Sequence, residues 1–224
     1  MTPTNWPCPL PDGGMSQEYA LTFDRQRHYR LLILPALFDE GNRLRRFTVE
    51  VMRRLDAAGI DTFLPDLPGC NESQQPLGKQ TIPGWLAATI EAGRHFSATH
   101  ALGVRGGCLF TPAELPALHY APVKAASILR QMLRARVLSS REAGREETRE
   151  TLAEQARTSG INLAGYEFGA DFYSHFEPLV PDSGATVIEQ GKLGGSGLWL
   201  RAEPDEDATQ ADTLAAILTA EITA

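Results

Sequence analysis

The chain has 224 residues, of which 42% are hydrophobic and 22% are charged, proportions that suit one globular domain with a substantial core. Its formal net charge of −7 disfavours non-specific binding to nucleic acid or to an anionic membrane surface. No apolar run approaches the length of a membrane span, so no membrane insertion is expected.

The N-terminus and the cysteines indicate where the protein works. Residues 1–16 are rich in proline and glycine, lack the pattern of a signal peptide, and are predicted to form a flexible lead-in. Residues 17–224 are then a single domain. Cys8, Cys70 and Cys108 show neither paired metal-ligand spacing nor a disulfide framework. We therefore expect a cytoplasmic protein that holds no metal and no cofactor.

Short apolar runs alternate with segments of helical periodicity through the first half of the chain. The predicted elements are an edge strand over 19–23, strands over 31–37, 60–64, 101–104 and 117–123, and helices over 43–58 and 82–96. Near-continuous apolar runs are typical of buried parallel strands. This alternation predicts an α/β fold: a mostly parallel sheet with right-handed crossovers and helices on both faces.

The alternation stops after the strand over 117–123. Residues 124–157 are predicted to form two helices that bury Leu129, Met132, Leu133 and Val137. With the mixed segment that follows, they make a small helical cap of about residues 124–180. Such a cap would cover the carboxyl edge of the sheet, where ligands bind in folds of this class. The last predicted elements are strands over 186–189 and 198–201 and a helix over 209–223.

A glycine-flanked arginine follows the strand over 101–104. An α/β hydrolase places G-x-S-x-G at such a strand-to-helix junction, and here Gly103 and Gly107 hold the glycine positions while Arg105 holds the serine position. Arginine stays protonated at any working pH and cannot attack a carbonyl. Together with the backbone N–H groups of Gly106 and Gly107, Arg105 would suit an anion. The alternative is an ordinary tight turn with a surface arginine.

The histidine of a serine hydrolase is also missing. It should follow the last strand, where it takes the proton of the serine. The five histidines are His28, His95, His100, His119 and His175. Glu203 lies in the loop where the histidine is expected, and its carboxylate could form a bidentate pair with Arg105. The alternative for Glu203 is a solvated acidic loop.

Three further residues are candidates for the same sheet edge. Glu40 and Asn42 follow the strand over 31–37; Glu40 could pair with Arg105, and Asn42 could donate to an oxyanion or cap the next helix. We expect Arg105 to have a carboxylate partner inside the protein, either Glu40 or Glu203. Cys70 could act as a nucleophile if a base lay beside it, although an inert thiol in a turn is the better reading.

Several segments resemble one family. Residues 35–46 are similar to the P-F-x-E-E-x-N-x-x-R-R segment of the exosortase A system-associated hydrolases, second type, with Leu37 at the phenylalanine position and Asp39 at the first glutamate. Residues 65–73 resemble their P-D-L-x-G-C-G-x-S, with Asn71 in place of a glycine. Residues 103–107 are similar to their G-L-R-x-G, in which arginine already replaces serine. Residues 129–136 and 163–167 resemble parts of their cap.

The resemblance covers most of the chain from about residue 31 onward, and the order and spacing of these segments make it fairly specific. It implies an α/β-hydrolase-like fold and a link to bacterial exopolysaccharide export and exosortase-dependent sorting. Three functions stay open. The first is a non-catalytic or atypical protein whose cleft, lined by Arg105, Glu40, Asn42 and Glu203, binds a small anionic or polar ligand or a protein partner. The second is a working hydrolase that uses Cys70 or an activated water. The third is a structural interaction module.

Overall fold

A computed structural model describes all 224 residues, and its centre is a seven-stranded sheet in the order β1-β2-β4-β3-β5-β6-β9. The sheet strands are Thr2–Pro9 (β1), Met15–Phe23 (β2), Arg30–Leu34 (β3), Asp61–Pro65 (β4), His100–Val104 (β5), Ala117–Tyr120 (β6) and Thr186–Ile188 (β9). Two short strands, Ile161–Leu163 (β7) and Tyr166–Phe168 (β8), form a separate antiparallel hairpin. The helices are Asp39–Ala57 (α1), Ile82–His95 (α2), Ala125–Glu142 (α3), Arg149–Ser159 (α4), Ala170–Phe176 (α5) and Ala208–Thr223 (α6).

Five neighbouring strands, β4, β3, β5, β6 and β9, run parallel, whereas β1 and β2 are paired antiparallel at one edge of the sheet. The predicted α/β architecture is therefore confirmed. The middle strand β3 shows why: its residues 31–34 are apolar and fully buried, because helices cover both faces of a parallel sheet. No helix combines the length and the apolarity that crossing a bilayer requires.

Helices α1 and α6 pack on one face of the sheet, and α2 packs on the other together with α3, α4 and α5. The apolar residues of α1 recur at helical spacing, and Leu44, Phe47, Val51 and Leu55 are all buried. Two apolar layers thus enclose the sheet. The carboxyl ends of the parallel strands all lie at the same edge of the sheet.

The flexible lead-in predicted for residues 1–16 is wrong, because this segment forms β1 and enters β2. Every residue of β1 pairs with β2, and the side chains of Trp6 and Cys8 are completely buried. Proline-rich composition was misleading here, since proline is tolerated in an edge strand whose outer N–H groups have no partner. The hairpin therefore adds two strands and a tryptophan to the core.

The two predicted cap helices are confirmed as α3 and α4, with Leu129, Met132 and Leu133 buried and Val137 partly buried. The hairpin β7-β8 and helix α5 complete the inserted segment between β6 and β9. Aromatic rings join this segment to the sheet. Phe38, just after β3, lies 5.0 Å from Phe168 and 5.8 Å from Phe176, centroid to centroid. These contacts hold the cap closed on the body of the protein.

The strand predicted over residues 198–201 is wrong, because Leu198–Leu200 form a 3₁₀ helix and the sheet ends at β9. The ring of Trp199 folds back on its own loop: a β-carbon added at Gly197 would lie 2.4 Å from that ring. The long connection between β9 and α6 crosses the carboxyl edge of the sheet, because Trp199 lies over the guanidinium of Arg105, the residue that follows β5.

Candidate functional site

The turn after β5 has the strained geometry expected of a hydrolase elbow. Arg105 has a φ of 53°, a left-handed conformation that costs a residue with a side chain about 1–3 kcal/mol. A β-carbon at Gly103 would lie 2.5 Å from Cα of Cys108, and one at Gly107 would lie 2.2 Å from the backbone oxygen of Leu34. Both flanking positions therefore require glycine for close backbone approach.

Arg105 makes a complete set of contacts inside the protein. Its Nε donates to Oε2 of Glu40 at 3.0 Å, and its Nη2 donates to Oε1 of Glu40 at 2.9 Å. Its Nη1 donates to the backbone oxygen of Ala121 at 3.1 Å, and the guanidinium carbon lies 4.1 Å from the ring centre of Trp199. The predicted carboxylate partner is confirmed and is Glu40.

The pair is largely shielded from water, with the Arg105 side chain 13% exposed and the Glu40 side chain 7% exposed. Glu40 reaches this position because α1 begins at Asp39, immediately after Phe38 has turned the chain with a φ of 55°. A carboxylate in the first turn is also favoured by the helix dipole. The bidentate geometry fixes both oxygens of Glu40 on a single guanidinium.

Glu203 takes no part in this arrangement. Its side chain is exposed and contacts neither Arg105 nor any other basic group, so the solvated-loop alternative holds for it. Trp199 lies in the loop after the last strand, the loop in which a histidine was expected, and its ring stacks on Arg105. The sequence analysis missed Trp199. An aromatic residue in the loop that should carry the histidine was the available signal.

The backbone around Gly106 and Gly107 lacks the open helix N-terminus on which the predicted anion site depended. The following helix is a single 3₁₀ turn, Arg105–Leu109, rather than an α-helix with a strong dipole. Both glycines are buried, and a β-carbon at Gly106 would lie 2.9 Å from Cδ1 of Ile128 and from Cγ of Leu37. The cap thus rests directly on the elbow, where the expected cleft would open.

Asn42 does not cap a helix at residue 43, because α1 already begins at Asp39. Its Nδ2 instead donates to the hydroxyl of Tyr166 in the cap at 3.3 Å. Asn42 therefore joins α1 to the cap. A cavity of only about 10 Å³ remains beside this contact, no more than one water molecule requires.

Cys70 is poorly suited to nucleophilic chemistry. Burial, together with the negative charges of Asp66 and Glu18, raises the pKa of its thiol to about 12. A reactive cysteine needs the opposite environment, a positive field that lowers the pKa. The structure therefore argues against the Cys70 alternative.

No group of three histidine, cysteine, aspartate or glutamate side chains is placed to hold a metal ion.

His119 gives the protein a testable pH dependence. Its Nε2 lies 3.0 Å from the hydroxyl of Thr111, its Nδ1 has no partner, and the residue is fully buried. Burial lowers the pKa of His119, against a smaller opposing effect of Asp182. The folded protein therefore favours the neutral ring. The contribution of His119 to the free energy of unfolding is fully present above about pH 6.5, the pKa of an ordinary histidine, and is lost as the pH falls below that value.

We expect the free energy of unfolding to fall more steeply between pH 7 and pH 5 in the wild type than in His119→Gln. Urea unfolding at a series of pH values measures this. His28→Gln is the matched control, since His28 is exposed and its removal should leave the wild-type slope unchanged. Equal slopes in the wild type and His119→Gln would show that burial of His119 does not cause the loss of stability at low pH.

The fold is shared with solved structures of hydrolases. A candidate hydrolase from Agrobacterium vitis S4 superposes with a TM-score of 0.63 at 14% identity, over 99% of this chain and 100% of that one. The α/β hydrolase domain-containing protein 10 from mouse superposes at 0.60 with 12% identity, over 100% and 99%. The esterase domain of a Rhodothermus marinus protein superposes at 0.54 with 12% identity, over 99% and 98%.

No family model matches the chain. No curated protein matches it either. At 12–14% identity the likeness to the solved structures shows the fold alone. With its mostly parallel sheet, its strained elbow after β5 and its inserted cap, the chain has the α/β-hydrolase fold.

Proposed function

We propose that this protein is a non-catalytic member of the α/β-hydrolase fold that acts by binding, with its former catalytic elbow closed by the Arg105–Glu40 ion pair. One observation carries the proposal: both carboxylate oxygens of Glu40 accept hydrogen bonds from Arg105, the arginine at the nucleophile position. The anion that Arg105 was expected to bind is thus supplied by the protein itself.

The remaining groups at the elbow support no route to hydrolysis. An arginine has no lone pair to attack an acyl carbon. An activated water would need a base with a free acceptor; Glu40 is held by Arg105, and no histidine follows residue 175. The Cys70 thiol is buried, and its raised pKa keeps it protonated.

The biological setting is proposed from the sequence resemblance. The segments that resemble the exosortase A system-associated hydrolases, second type, favour a role in bacterial exopolysaccharide export or exosortase-dependent sorting. We propose a cytoplasmic binding protein of that system; its three free thiols suit a reducing compartment. The cap is the part most open to a ligand or a protein partner, since the elbow beneath it is filled.

The purified protein should show no serine-type esterase activity. We expect neither turnover of p-nitrophenyl acetate or butyrate above the buffer rate nor labelling by a fluorophosphonate probe. Arg105→Ser should also remain inactive, because it restores the hydroxyl but not the histidine. An active α/β-hydrolase esterase run beside it checks the assay. Ester hydrolysis that a serine-directed phosphonate abolishes would contradict the proposal.

A further inference from the structure

A groove on the outer side of the cap has the size of a small-molecule site. It lies between α3 and α4, with α5 as its floor, is open to solvent, and has a volume of about 550 Å³. Ligand pockets commonly measure about 300–1,000 Å³ and combine apolar walls with a few polar groups. One wall here is apolar, formed chiefly by Leu129, Leu133 and Ala153. The groove is separate from the elbow, whose residues do not line it.

Two arginines at the groove lack a close carboxylate partner. Arg130 on α3 donates only to the hydroxyl of Ser127, at 3.1 Å. Arg149 at the start of α4 lies no closer than 3.9 Å to the carboxylate of its neighbour Glu150. The third arginine, Arg157, is already engaged, because it forms a bidentate pair with Glu177 at 2.9–3.1 Å. Arg130 and Arg149 are therefore the cations available to a ligand.

The floor of the groove contains an unpartnered hydroxyl. Tyr173 on α5 lines the groove, is fully buried, and its Oη makes no hydrogen bond. Burial and the charge of Glu177 raise the pKa of Tyr173, whereas Arg157 lowers it; both of these charged residues also line the groove. A buried hydroxyl without a partner costs free energy that a bound acceptor would recover.

The charge of the lining selects the ligand. Three arginines and two glutamates face the groove, so one positive charge is uncompensated. That balance suits a monoanion better than a phosphate dianion, which Glu150 and Glu177 would repel. We propose that this groove binds a small amphipathic monocarboxylate, with the carboxylate between Arg130, Arg149 and the Tyr173 hydroxyl and an aliphatic tail along Leu129 and Leu133.

Calorimetric titration of the full chain with octanoate tests the proposal. We expect saturable binding of one octanoate per chain. Arg130→Ala and Tyr173→Phe should each weaken it about tenfold or more, the effect of losing one hydrogen bond to a charged group. Tyr173→Phe removes only the unpartnered hydroxyl, so its Tm should not fall. Arg134→Ala is the matched control: Arg134 is exposed on α3 outside the groove and its removal should leave the affinity unchanged.

The ligand series separates charge from tail. 1-Octanol keeps the tail without the charge and acetate keeps the charge without the tail, so both should bind at least about tenfold more weakly than octanoate. Absence of saturable octanoate binding would overturn the proposal, as would equal affinity in the wild type and Arg130→Ala, or octanol binding as tightly as octanoate. Esterase assays address the elbow and this titration addresses the cap, so the two proposals can fail independently.

Discussion

Arg105→Ala and Glu40→Gln should each lower the free energy of unfolding by about 3–5 kcal/mol, the usual cost of breaking a buried ion pair by removing one partner. Arg105→Ala leaves a shielded carboxylate that can relieve part of this cost by taking up a proton. Glu40→Gln leaves an arginine that cannot lose its charge, so its effect should be at least as large. Urea unfolding at pH 7 with a wild-type reference measures both values.

An exposed ion pair on the same helix provides the control. Arg46 pairs with Glu206, and their side chains are 62% and 37% exposed. Arg46→Ala should therefore cost only about 0–1 kcal/mol, because water screens such pairs. If Arg105→Ala were no more destabilising than Arg46→Ala, the elbow pair would have no structural role. The reading of Arg105 as a ligand-binding group would then return.

Gly107→Ala should destabilise the protein by about 3 kcal/mol or more, near or above the upper end for overpacking. The new β-carbon would lie 2.2 Å from the backbone oxygen of Leu34 and 2.5 Å from that of Pro35. Neither atom belongs to a flexible side chain, so β3 or the elbow would have to move. Thermal and urea unfolding should both register the change.

Gly191→Ala is the matched control for this substitution, because nothing lies within 4 Å of a β-carbon at that position. Its free energy of unfolding should stay within about 0.5 kcal/mol of the wild-type value, as for most surface substitutions. If Gly107→Ala and Gly191→Ala behaved alike, the close contact of the elbow with β3 would not exist in solution.

The sheet and its elbow could be predicted from the sequence because their signals are local. An uninterrupted apolar run marks β3, and the spacing Gly103-x-Arg105-x-Gly107 marks the turn. The arginine partner could be narrowed to two glutamates, since both follow predicted strands that end at one edge. Choosing Glu40 over Glu203 required the structure. The chain turns at Phe38, and this turn directs the first turn of α1, which carries Glu40, toward Arg105.

The features that were missed depend on tertiary contacts. The strand β1 has the composition of a loop, and only its pairing with β2 and the burial of Trp6 make it part of the core. Trp199 lies in a segment whose apolar residues suggested a strand, and its role comes from a ring packed on a charge from a distant element. The cap groove joins residues of three helices, which no spacing in the chain reveals.

A double-mutant cycle between Arg105 and Glu40 tests most directly the claim that the elbow is closed by its own ion pair. The cycle compares Arg105→Met, Glu40→Leu and the double variant by urea unfolding, since apolar replacement of both partners removes the pair without stranding a charge. We predict that each single variant is strongly destabilised, that the double variant recovers, and that the coupling energy is about 2–3 kcal/mol. Additive single effects, with a coupling energy near zero, would contradict the account.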